Sequence, residues 1–454
     1  MKNKRIVIIG AGPAGLGAAY RLKDLGYENF IVFEKNNYVG GLCASFLDAG
    51  GFTWNLGGHV VFSHYDYFEC MLNSLFGSEL LDRVRDAWIF TQSRWIPYPL
   101  QDYIRYLPLR DKLPCVISLI KARAAAKISR KNPRNFKEWI IATFGTKMAY
   151  YFLLPYNSKV WAYPLEEIGN YWVSDRIKIP RLGIFLRNLI NDSNDTGWGH
   201  NLKFKFPLFG GVGEIFKRIS LLLDGKISLN SEVVKINSGT GEICLADGKK
   251  EGYDILVNTS ALGGFLTAFS ESGKDMLAAS AHLKHNGVLV IGLGLIKNKC
   301  LDNKSWVYFP DGNVPFFRVS FLSNYSPNIT PDSGRYYSIL CEVAYSKYRE
   351  TNKDDVFEQT ICGLIDSGIL QKEDRKFIVS RFFSDIGCAY PIPTRRRDEA
   401  LRCIQPGLEK MDIFSRGRFG AWKYEVGNMD HSFMQGVEVV NRILREENEN
   451  IWAL

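Results

Sequence analysis

"RIVIIGAGPAGLGAAYRL" (residues 5–22) decides the fold. Ile6–Ile9 are four consecutive β-formers, the pattern of a strand buried on both faces. Gly10, Gly12 and Gly15 follow in G-x-G-x-x-G spacing, and Leu16, Ala19, Tyr20 and Leu22 then recur at helical spacing. A second apolar run, "FIVFE", ends on Glu34, nineteen residues after the last of these glycines, where a carboxylate reaches a ribose diol. Bare backbone and a helix N-terminus at the turn admit a pyrophosphate that a side chain would block. A dinucleotide, FAD or NAD, is therefore expected on the opening strand-turn-helix unit.

Gly40 and Gly41, in "NNYVGGLCAS", supply another close backbone approach just after the ribose acid. That arrangement resembles large flavoproteins of the amine-oxidase and glutathione-reductase type, which favours FAD.

At 454 residues the chain exceeds one ordinary core, and 46% hydrophobic with 23% charged residues argues against disorder and against membrane spans. The basic, apolar N-terminus is broken by four glycines and a proline and reads as a strand and turn, not as a signal peptide. Nine cysteines form no CxxC pair, as expected of reduced thiols in a cytoplasm. The net charge of +9 reads as spread along the chain except for "TRRRDEALR" (394–402), a solvated face; no nucleic-acid motif accompanies it, and an anionic small substrate explains the excess equally well. "HLKH" (282–285) lacks a third metal ligand, so no metal is expected. The sequence carries no signal for an oligomeric state.

The expected class is α/β: a discontinuous Rossmann-like FAD-binding domain (1–64, 213–285 and 386–454), a helical substrate domain with mobile loops (100–200), and an antiparallel sheet domain (65–99, 201–212 and 286–385). Helical spacing fills "LPCVISLIKARAAAKISRK", and alternation fills "GVLVIGLGL" and "YYSILCEVAY". Ligands in such designs sit where domains meet.

Several turns concentrate polar aromatics beside bare backbone: "NLGGHVVFSHYDYF" (55–68), "WIPYPLQ" (95–101), "PYNSKVWAYP" (155–164), "DRIKIP" (175–180), "WGHN" (198–201), "WVYFPDGNVPFFR" (306–318), "YPIPT" (390–394) and "SRGRFGAWKYEVGN" (415–428). In order and content they resemble the eukaryotic type of UDP-galactopyranose mutase over residues 5–445. The resemblance implies an isomerase acting through a covalent adduct of the sugar C1 with N5 of reduced FAD, with NAD(P)H or dithionite as reductant. It implies that Arg318 and Arg418 grip the diphosphate and that Gly58 and His59 lie against the reactive face of the flavin. Tyr308, Tyr390 and Tyr424 would line the anion; Asn157, Trp161, Arg176, Asn201 and Asn428 the sugar; Phe62, Tyr98 and Gln101 the base. Cofactor contacts would come from Gly10, Gly12, Ala14 and Gly15, from Glu34, Lys35, Gly41 and Leu42, and from Gly57, Gly58, Gly427, Asn428 and Ser432.

Leu100 and Ser158 stand where that family usually has aromatics, which is expected to loosen the nucleotide end. Two alternatives stay open: a mutase for another nucleotide sugar, and an FAD oxidoreductase of the amine-oxidase type.

Overall fold

The structure is a computed structural model that describes residues 3–128, 132–173, 176, 177, 179, 183, 202–269, 273–298 and 303–452. The opening stretch folds as its pattern predicts: β1 (Ile6–Ile9) is wholly buried, α1 (Pro13–Asp24) follows the glycine turn, and β2 (Phe30–Phe33) pairs parallel with β1, Ile6 beside Phe30. β1 is the centre of a five-stranded parallel sheet completed by chain returning from far away, in the order 413–415, 255–258, β1, β2, 227–228. The C-terminal helix Met429–Arg445 lies directly on α1. Glycines make that contact possible: a methyl on Gly17 would stand 2.2 Å from the Phe433 carbonyl oxygen, and one on Gly436 2.0 Å from that of Ala14.

A seven-stranded sheet runs 378–392, 284–296, 336–345, 318–320, 306–308, 87–91, 94–97. Its ladders are antiparallel except where Trp306–Tyr308 meets Ala87–Thr91. Register sets up the site: Tyr308 pairs with Arg318, Arg318 with Glu342, and Tyr390 with Asn286. Side chains directly opposite share a face.

The helical part comprises Leu109–Ile128, Phe136–Phe144 and a continuous run from Thr146 to Trp161. Asn135 caps the second of these, its Oδ1 accepting from the Glu138 amide at 2.9 Å. Within the run, a π-turn at Ala149–Leu153 re-aims the last segment, Leu154–Trp161, which carries Asn157 and Trp161. Asn201, like most of 174–201, lies outside the described residues.

The basic run at 394–402 differs from its expected solvated form. Arg395 and Arg396 are exposed, but Arg397 is 1% exposed and donates to both carboxylate oxygens of Glu425 at 2.7 and 2.6 Å. A guanidinium at that depth needs a paired acid, and this pair fixes the turn that presents Tyr424.

Candidate functional site

Where the two sheets meet, a cavity of about 890 Å³ runs from the glycine turn to the face of the larger sheet. Gly10 has φ +98°, and a methyl there would lie 2.6 Å from Thr259 Oγ1. Gly41 (φ +52°) backs onto Gly12, its hypothetical methyl 3.2 Å from the Gly12 Cα. Two side-chain-free turns thus lie against each other at this end. The α1 N-terminus has no side-chain cap, so its first-turn amides remain for an anion.

Gly10, Gly12, Ala14, Glu34 and Lys35 line the cavity, as do Gly41, Leu42, Gly427, Asn428 and Ser432. Gly15 and Gly57 are not among its lining residues. Gly15 instead seats α1 on the end of β1, since a methyl there would fall 1.8 Å from the Gly10 carbonyl oxygen. Glu34 has an extra duty: one oxygen accepts the Ala11 amide at 2.8 Å, the other the Asn36 amide at 3.0 Å and Asn36 Nδ2 at 2.7 Å. It braces the phosphate turn while keeping lone pairs for a ribose.

At the other end stand Gly57, Gly58 and His59. A methyl on Gly58 would meet Ser320 Oγ at 2.3 Å and Arg318 Cζ at 3.2 Å, so any side chain there would have to displace one or both. His59 Nδ1 is buried without a hydrogen-bond partner. Burial pushes the imidazole pKa down to about 4, opposed by Glu342 and reinforced by Arg318 and Arg418, which makes the ring neutral near pH 7.

Arg318 is held side-on by Glu342, Nη2 donating to Oε1 at 2.7 Å and Nε to Oε2. Glu342 escaped sequence reasoning, although one acid inside the apolar strand "YYSILCEVAY" is itself a signal, because an ionised carboxylate in a core requires a partner. Arg418 is different. It donates to the carbonyls of Gly427 (2.8 Å) and Ala389 (3.2 Å) and sits 4.9 Å over the Tyr390 ring and 5.9 Å over that of Tyr424. Among the described residues no carboxylate pairs with it. Burial raises the Tyr390 phenol to about 12, which keeps it a neutral donor. Arg318, Arg418, Tyr390 and Tyr424 all line the cavity, beside Gly58, His59 and Phe62.

The NAD(P)-binding Rossmann-like family matches residues 8–75. A solved structure of reduced UDP-galactopyranose mutase superposes with a TM-score of 0.94 at 38% identity, covering 98% of this chain and 95% of that one. The chain belongs to the UDP-galactopyranose mutase family. Other likenesses reach less far. Wild-type putrescine oxidase shares the fold at a TM-score of 0.66 and 14% identity, covering 97% of this chain and 99% of that one. The 1-hydroxycarotenoid 3,4-desaturase of Flavobacterium sp. (strain P99-3) is 50% identical over 54 residues, 12% of this chain and 11% of that enzyme. Such curated relatives are matched over only about a tenth of their length.

Within this member of the mutase family, the outer residues form an aromatic shell. Tyr98 and Tyr308 have ring centroids 4.8 Å apart, and Tyr156, which the sequence did not single out, lies 5.2 Å from Tyr308. Arg85, also missed, sits 5.3 Å over the Tyr98 ring. Trp161 packs 4.7 Å from Tyr424 and 6.3 Å from Tyr390, but at 1% exposure it backs the cage and does not line it. Asn157 turns its Nδ2 to the Leu153 carbonyl one helical turn back (2.8 Å). Arg176 Nε donates to the Glu425 carbonyl at 2.8 Å, and its guanidinium lies 5.7 Å over Tyr424. Gln101 is buried in the turn after Pro99. Tyr98, Gln101, Asn157, Trp161, Arg176 and Tyr308 therefore stand outside the lining of the main cavity.

Leu100 does not fit the expected loosened pocket. It is 1% exposed and belongs to the core that contains Ile89, Ile96 and Ile104, whereas Ser158 is exposed.

Proposed function

We propose that the chain interconverts UDP-galactopyranose and UDP-galactofuranose with FAD bound in the glycine-walled cavity. The carrying observation is the convergence of Arg318 and Arg418 with Tyr390 and Tyr424 on the cavity end bordered by Gly58 and His59. A nucleoside diphosphate needs such planar, partly desolvated cations, and an amine or carotenoid has nothing for them to hold. The cofactor fits because Gly10, Gly12, Gly41 and Gly58 leave a cradle that side chains would fill. Reduced FAD, when bound, supplies an electron pair toward the anomeric carbon with no net redox change.

The chain's own residues do the rest. The α1 N-terminus with Gly12 and Ala14 would hold the pyrophosphate, and Glu34 with Lys35 would hold the ribose. Arg418, whose charge no acid among the described residues balances, would anchor the sugar's diphosphate and stabilise it as leaving group, with Arg318 pre-aimed by Glu342 beside it. His59, neutral, can accept a proton at Nδ1. Tyr98, Gln101, Asn157, Arg176 and Asn201 would order the nucleotide and sugar around that centre.

The three-part division into a discontinuous cofactor domain, a helical domain and a sheet domain belongs to the same proposal, as does a cytoplasmic location. In support of the latter, the eight described cysteines are unpaired, and among the described residues no helix is long and apolar enough to cross a membrane. The test is to incubate dithionite-reduced protein anaerobically with UDP-galactopyranose and to look for the furanose isomer. Equal turnover by the oxidised protein, or none in either state, would overturn the reading.

A further inference from the structure

The helix Leu109–Ile128 carries an exposed apolar stripe, and none of its described residues lines the cavity. Leu109 is 65% exposed, Leu113 52%, Ile117 51% and Ile120 43%. At 3.6 residues per turn these four fall within an arc of about 80°. Tyr106, 45% exposed, sits just before the first of them.

Charge surrounds the stripe. On the same helical wheel Arg110 and Lys121 border one side and Lys112 and Arg123 the other. Residues 105–134 hold nine Lys and Arg against one acid, Asp111, so this segment carries +8 where the whole chain carries +9. The positive excess is therefore concentrated here and not spread along the chain, as the sequence first suggested.

We propose that this face docks on an anionic phospholipid surface. An aliphatic stripe edged by cations on both sides is the pattern of a helix lying in the plane of a membrane interface, where apolar side chains enter the headgroup boundary and the cations meet lipid phosphates. Two alternatives fit less well. A nucleic acid would meet the cations but gain nothing from four exposed aliphatic side chains. A second copy docked stripe to stripe would bring two +8 segments together.

The experiment is co-sedimentation of the flavin-loaded protein with vesicles of phosphatidylcholine alone or with about 30% phosphatidylglycerol. Binding is expected only to the anionic vesicles and should fade with salt. The variants L113S/I117S and R110E/K121E should each bind at least about tenfold more weakly with unchanged melting and mutase activity. Equal binding to neutral vesicles, undiminished binding by L113S/I117S, or a dimer that L113S/I117S dissolves would overturn the proposal. A separate variant, Leu113→Trp, reports the same contact without loss of apolar surface. Its fluorescence should shift to the blue on anionic vesicles, and an unshifted spectrum would also overturn it.

Discussion

Arg318 and Glu342 face each other across adjacent antiparallel strands, with the guanidinium held at two points by the carboxylate. The arginine is aligned before any anion arrives, and the acid is 4% exposed. Removing the arginine should therefore do two things. Arg318→Ala is expected to lose activity and to destabilise the fold by about 3 to 5 kcal/mol, because it strands a buried carboxylate. Adding Glu342→Gln should restore much of the melting temperature but none of the turnover. Wild-type rates in the double variant would show that Arg318 does not touch substrate.

Arg418 should separate these effects. Its partners among the described residues are two carbonyls and two rings, so Arg418→Ala strands no described acid and should keep fold and flavin. Loss of a charge-assisted contact to a desolvated diphosphate costs about 2 to 5 kcal/mol, at least about thirtyfold in kcat/KM. Lysine should recover only part, since it lacks the planar fork. Steady-state kinetics beside a flavin absorbance measurement checks this, and an unimpaired alanine variant would remove Arg418 from the site.

His59 gives a pH signature. Its folded pKa of about 4 lies below the ordinary value of 6.5, so between those values the unfolded chain takes up a proton that the folded chain refuses. Stability should accordingly rise with pH from about 4 to 6.5 and level above, by an amount on the order of 3 kcal/mol. Urea midpoints measured at pH 4.5 and 7 should differ more in the wild type than in His59→Gln. Identical pH dependence in both proteins would mean that the ring is hydrated or charged in the folded state.

How much of this was legible follows from the range of the signals. The glycine turn, α1 and Glu34 are local, and a run of thirty residues carries all of their determinants. Arg318 and Arg418 were expected from the family resemblance, and both line the cavity. The Arg318–Glu342 pair was not, because it depends on the register of strands separated by 24 residues, and sequence spacing does not reveal which residues face each other. Arg397 was misread for a related reason: its acid, Glu425, lies 28 residues away. Asn157 and Trp161 sit on a helix whose facing is set by a π-turn, a feature without a sequence pattern.

The nucleotide end yields the last prediction. Leu100 occupies a position where an aromatic was expected to pack on the base, yet it is buried with Ile89, Ile96 and Ile104. Restoring a ring should then hurt the fold more than it helps the ligand. Leu100→Phe overfills a packed core and should lower stability by about 1 to 3 kcal/mol. It should leave UDP affinity nearly unchanged, because base recognition would rest on Tyr98 and Gln101, in the turn beside it. Ser158→Tyr, at an exposed helical position, should be neutral for stability and is the better probe of a missing contact. Titrations of UDP, dTDP, GDP and CDP against the reduced wild type and both variants decide the matter. A UDP affinity tightened about tenfold by Leu100→Phe, a gap of about 1.4 kcal/mol, would return Leu100 to the pocket wall. Another diphosphate preferred over UDP by the same margin would overturn the uridine assignment.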